Sequence, residues 1–134
     1  MAKKNKFLEE DQVSAIDLVA AECERIVNEE GFSADHDDWY NQNQSLAGGA
    51  AAYILPAGFR MPVLLAPSFW PYDAETWKPN KEHPSSEDYL EGRIRELVKG
   101  TAMAIKEIER LQRLKAGTNY IPDIAANESS EDDT

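Results

Sequence analysis

Six of the seven prolines fall between Pro56 and Pro84, in a stretch that is otherwise apolar. Prolines at 56, 62, 67, 71, 79 and 84 each remove a backbone donor and bar the helical conformation from the preceding residue, so no regular helix survives there. The same stretch holds Phe59, Met61, Val63, Leu64, Leu65, Phe69, Trp70, Tyr72 and Trp77. Disordered linkers lack such residues because they cannot bury them. The pattern predicts an ordered loop that lies across the flanking helices and completes their core. Loops this long without regular structure are functional when they are ordered.

The flanks are helical. Residues 8–30 carry a 3.6-residue apolar stripe at Val13, Ile16, Val19 or Ala20, Cys23, and Ile26 or Val27. Gly31 stands where a left-handed cap is wanted, with Phe32 placed to pack back on the last turn. Ser33 can cap a further turn over 34–40. A second helix is expected over 45–55, with Leu46, Ala47, Ala50, Ala51, Tyr53 and Ile54 as its packing face. Gly48 and Gly49 weaken it by roughly 1 kcal/mol each relative to alanine, which suggests close approach by a neighbour.

The strongest element spans 86–115. Leu90, Ile94, Leu97, Val98, Thr101, Ile105, Ile108 and Leu111 form its stripe, and Ser85 or Ser86 can cap it. Acids open it and Arg110, Arg113 and Lys115 close it, as the helix dipole favours. Gly117 ends it, with Pro122 beyond. The stripe is long enough to serve both the core and a partner subunit, so a homodimer or higher oligomer is expected. The expected fold is mainly α, with three principal helices and a long ordered Pro/aromatic-rich loop packed across them. Residues 1–7 read as a flexible N-terminus, 8–120 as a single helical domain and 121–134 as an acidic disordered tail.

The chain has 134 residues, one cysteine and a formal charge of −11. That length suits one domain with a real core. The lone Cys23 excludes an intramolecular disulfide framework and any zinc site needing two cysteines. The charge argues against duplex nucleic acid, whose binding depends on neutralising phosphates, and against an anionic membrane surface. No apolar run approaches the ~20 residues of a transmembrane helix, and the lysines near the N-terminus are followed by no apolar segment of a signal peptide. A cytoplasmic protein is expected. The charge is uneven, however. Residues 9–38 hold eleven acids against Arg25 alone, whereas 76–115 hold nine bases against seven acids. Complementary charged flanks on packed helices are the plain reading; an acidic cluster for metal and a basic face for an anion are the sharper one.

Three constellations could carry chemistry. His36, Asp37 and Asp38 set an imidazole beside two carboxylates, which suits a metal or a base held by an acid; dipole-favoured acids at a helix start explain them equally well. Trp39, Tyr40, Trp70, Tyr72 and Trp77, with Lys78 following, offer the stacking faces and positive charge that a phosphorylated nucleobase needs; anchoring the loop on the core is the alternative. Arg95 and Lys99, one turn apart, could clamp an anion or pair with Glu22 and Glu29. Walker, GxGxxG, GxSxG and HExxH motifs are absent, and no cofactor is expected.

The strings Glu24-Arg25, Glu30-Gly31-Phe32-Ser33 and His36-Asp37-Asp38 resemble a small protein family common in bacteriophages and prophages. Trp70-Pro71-Tyr72, Trp77-Lys78-Pro79, Arg95 to Gly100 and Glu107 to Leu111 extend the resemblance over most of the chain. It implies a phage setting and a host bacterial cytoplasm, but no mechanism. Gly31-Phe32 and His83-Pro84 also echo the ryanodine-receptor repeat domain, which would imply a nucleotide-binding pocket. Together these point first to a phage accessory protein, such as one that acts against host defence. It would bind a small phosphorylated or nucleotide-like ligand without turnover, through His36, Asp37, Asp38, Trp39, Trp70, Trp77, Lys78, Arg95 and Lys99. The alternatives are an acidic inhibitor of a basic host protein and a metal-dependent nucleotide hydrolase.

Overall fold

A computed structural model describes residues 13–60 and 65–117. It is mainly α, with no strand among the described residues. The helices are α1 (Ala15–Glu30), α2 (Ala34–Tyr40), α3 (Ser45–Ile54) and α4 (Tyr89–Ala116). Thus α1, α3 and α4 are the three principal helices, and α2 is the short turn expected after Gly31. None of the described helices is long and apolar enough to cross a membrane. The expected N-terminal segment 1–7, the first turn of the predicted 8–30 helix and the acidic tail 121–134 lie outside the described residues.

Local chemistry sets most helix ends. Ser14 Oγ accepts from the Asp17 amide at 3.1 Å, so α1 starts at a side-chain cap. Gly31 ends it at φ +75°, and the Gly31 and Phe32 amides reach the Val27 and Ile26 carbonyls, satisfying the last turn. Ser33 Oγ accepts from the His36 amide and opens α2. Gly117, at φ +79°, closes α4. The start of α4 differs from expectation. It begins at Tyr89, and neither Ser85 nor Ser86 caps it. Instead the Ser86 amide donates to the His83 carbonyl and Ser86 Oγ donates to Glu82, which spends residues 83–88 on turns ahead of the helix.

α1 and α3 both pack on α4. Contacts pair Glu22 with Arg95 and Phe32 with Lys106, so α1 runs alongside α4 in the same direction. α3 runs the opposite way: Gly49 lies against Met103, and the carbonyls at its C-terminus meet Arg93. A Cβ on Gly100 would stand 2.7 Å from Ile54 and 3.0 Å from the Ala50 carbonyl, so the two backbones approach too closely there for any side chain. The apolar core is small. Ala52, Tyr53 and Trp77 form its centre, with Ala66, Trp70 and Met103 packed against it.

The face that α4 turns inward is unexpected. Glu96, Lys106, Glu107 and Arg110 are buried beside Val98, Gly100 and Ala102. Leu90, Ile94, Leu97, Ile108 and Leu111, expected to be shared between the core and a partner subunit, are all exposed, Leu90 by 70% and Ile108 by 54%. The reason lies in the acids of the first third. Glu22, Asp37 and Asp38 are buried, and Arg95, Lys106 and Arg113 of α4 neutralise them at 2.7, 2.7 and 2.8 Å. A buried charge without its partner is far costlier than the pair. The charged flank of α4 is therefore held inward with Val98, and Leu90, Ile94, Leu97, Ile108 and Leu111 of its apolar stripe face out.

A second ionic cluster closes α3. Arg60 donates to the carbonyls of Ala52 and Leu55, and Arg93 to those of Tyr53 and Ile54. Glu96 binds both guanidinium groups at 2.9 Å and also accepts from the Asn80 amide at 2.7 Å. The last carbonyls of a helix have no internal partner and carry its negative end, so two arginines there satisfy both needs.

Candidate functional site

A cleft of about 540 Å³ lies among all four helices and the segment 70–78. One wall is an aromatic ladder. Phe32, His36 and Tyr40 fall four residues apart, and their rings stack at 4.5 and 4.7 Å. His36 Nδ1 is buried in this wall without a hydrogen-bond partner and lies 3.7 Å from Asp37 Oδ1. The opposite wall is built by Tyr53 of α3 and by Trp70 and Tyr72. Trp70 stands edge-on to both tyrosines at 5.4 Å, and its indole N–H donates to the Asp73 carbonyl at 3.1 Å.

A buried chain of hydrogen bonds holds the two walls together. The Tyr72 hydroxyl donates to Asn41 Oδ1 at 2.6 Å, and Asn41 Nδ2 donates to Asp37 Oδ1 at 3.1 Å. Asp37 pairs with Lys106, whose ammonium also donates to the Phe32 carbonyl at 2.8 Å. Burial, with the negative charges of Asp37 and Glu107, pushes the Tyr72 phenol far above its ordinary value. It therefore stays a neutral donor, which suits its place at the head of this chain.

The charges of the cleft are of two kinds. Glu22 accepts two hydrogen bonds from Arg25 and pairs with Arg95, and Glu30 pairs with Arg25 at 2.8 Å. Burial alone would raise the Glu22 carboxyl, but these guanidinium groups overcome it and hold the carboxyl below its ordinary value. Lys106 is matched by Asp37. Lys78 and Lys99 make no ion pair among the described residues. Lys99 is half-buried, its ammonium 5.1 Å from the centre of the Tyr53 ring and 3.4 Å from the Lys78 carbonyl. Desolvation, and then the charge of Arg95, depresses its pKa.

The candidates from sequence thus part company. His36, Trp70, Lys78 and Lys99 meet in the cleft wall. Asp37 and Asp38 are almost fully buried behind it, engaged with Lys106 and, through a two-pronged contact, with Arg113. Trp77 stacks on Tyr53 at 4.7 Å within the core. Arg95 bridges to Glu22 on α1, the structural alternative that its sequence position left open. Trp39 points away, 67% exposed. No group of three His, Cys, Asp or Glu side chains among the described residues could hold a metal ion. Phe32 and Tyr53 also line the cleft, and neither is among the ligand contacts expected from sequence. The 32/36/40 spacing could have exposed the ladder, but Tyr53 carries no signal beyond a helical packing position. No family model matches the chain, and neither does any curated protein or solved structure.

Proposed function

We propose that this chain binds a small aromatic anion of the nucleotide kind in the cleft and does not turn it over. The observation that carries this reading is Lys99, a half-buried ammonium on an aromatic face that makes no ion pair among the described residues: Glu22 and Glu96 act on it only from a distance, and desolvation outweighs them. Such a group pays a desolvation cost that an anion would repay. Lys78 stands beside it, and the rings of Trp70, Tyr72 and the 32/36/40 ladder offer stacking surfaces for a base. Binding is favoured over hydrolysis because the carboxylates nearest His36 are engaged: Asp37 holds Lys106 and Asn41, and Asp38 holds Arg113. In the phage setting that the resemblance implies, and in a bacterial cytoplasm, such a protein would sequester a nucleotide-derived host signal.

Calorimetry against cyclic dinucleotides, ADP-ribose derivatives and nucleoside phosphates tests this. The expected result is micromolar or tighter binding by at least one of them, lost in Lys99→Met. Absence of heat with all of them at millimolar ligand sinks the reading.

A further inference from the structure

The outward face of α4 is more ordered than scattered exposure requires. Leu90, Ile94, Leu97, Thr101, Ala104, Ile108 and Leu111 are spaced by alternating steps of four and three residues. That is the a/d repeat of a helix that packs against another helix along its whole length. The seam covers 22 residues, about 33 Å of helix at 1.5 Å per residue. Its ends carry the large side chains and its middle carries Thr101 and Ala104, which permit close approach at the centre. Among the described residues nothing covers the large ones at its ends, where Leu90, Ile94 and Ile108 are the most open.

The charges beside the seam say what would cover it. Glu87 and Glu91 stand beside it at its N-terminal end and Lys115 at its C-terminal end, all exposed, while Asp88 and Glu109, three heptads apart, lie on a flank turned away from it. A second α4 laid in the same direction would set acid beside acid and align the two helix dipoles. Laid in the opposite direction, it sets each acidic end against the partner's Lys115 and opposes the dipoles. The seam is then self-complementary about a two-fold axis near Thr101, as a closed dimer requires.

We infer that two copies of this chain associate through an antiparallel pairing of their α4 helices along this seam. Lys99, Met103 and Lys106 project from the other side of α4, so the dimer leaves the cleft open and the two readings fail independently.

The full chain, sedimented at tens of micromolar, should run at twice its 15.0 kDa mass. Leu97→Glu should run as a monomer with unchanged helical circular dichroism, because Leu97 is exposed. Geometry is read by cross-linking in a Cys23→Ser background. Thr101→Cys should oxidise to a covalent dimer, while Ile94→Cys should not, since an antiparallel pair separates the two copies of residue 94. A monomeric wild type, a dimer indifferent to Leu97→Glu, or equal cross-linking at both positions overturns the proposal.

Discussion

Lys99 is held in a state that costs the empty protein stability. Its folded pKa is depressed, first by desolvation and then by Arg95, so the protonated form is disfavoured relative to the unfolded chain. For a base depressed in this way the cost is present below the folded pKa and fades as pH rises through it. Lys99→Met keeps the aliphatic stem and removes the charge. It should therefore leave the unliganded chain at least as stable in urea at pH 7 while abolishing anion binding, the trade expected of a functional group. The pH profile follows the same sign. Anion affinity should be greatest where Lys99 is charged and should fall with rising pH below the ordinary lysine value of 10.5. Titrations between pH 7 and 10 check it, and a flat profile would show that Lys99 does not hold the anion. Lys106 makes a contrasting case, because its charge is already matched. Lys106→Met strands Asp37 behind the cleft and should destabilise by about 3–5 kcal/mol in chemical denaturation, since one partner of a buried pair is left alone.

At the level of elements, the crossing of α3 on α4 depends on an absent side chain. Alanine at Gly100 would gain about 1 kcal/mol of helix propensity, but its Cβ would meet Ile54 at 2.7 Å and the Ala50 carbonyl at 3.0 Å. The carbonyl cannot swing aside as a side chain would. Gly100→Ala should therefore destabilise by about 1–3 kcal/mol net in urea melts, the range for overpacking, despite the better propensity. The helices themselves are legible in the sequence, because their signals are local. Gly31, Ser33 and Gly117 act where their neighbours in sequence require. The Ser14 cap is local too, bonding only three residues ahead, but the apolar stripe runs on through Val13 and hides it. The inward face of α4 was not legible. Periodicity reports where apolar side chains fall, but Asp37 meets Lys106 and Asp38 meets Arg113 across about 70 residues of chain, and no local pattern announces such pairs. The cleft was legible by half for the same reason. Trp70, Lys78 and Lys99 could be named by type, whereas the choice of Trp77 for the core and of Trp39 for solvent depends on how α2 and α3 sit on α4.

For the whole molecule, the net charge of −11 does not show which charges lie inside, because the buried acids are paired and cancel. Five of the 25 acids, Glu22, Asp37, Asp38, Glu96 and Glu107, are buried against guanidinium or ammonium groups, while Leu90, Ile94 and Ile108 of α4 lie outside. A chain arranged in this way gains stability by covering α4. Because the native dimer is favoured over unfolded monomers by mass action, its melting temperature must rise with protein concentration. Each tenfold increase adds about 1.4 kcal/mol per dimer. With an unfolding entropy of about 2 cal/mol/K per residue over two chains of 134 residues, the expected rise is about 2–3 °C per decade of concentration. Scanning calorimetry from 5 to 500 μM should show that slope in the wild type and a flat line in Leu97→Glu. A wild type whose melting temperature ignores concentration would mean that the seam stays uncovered, and that α4 turns its apolar face outward solely to keep its ionic partners within.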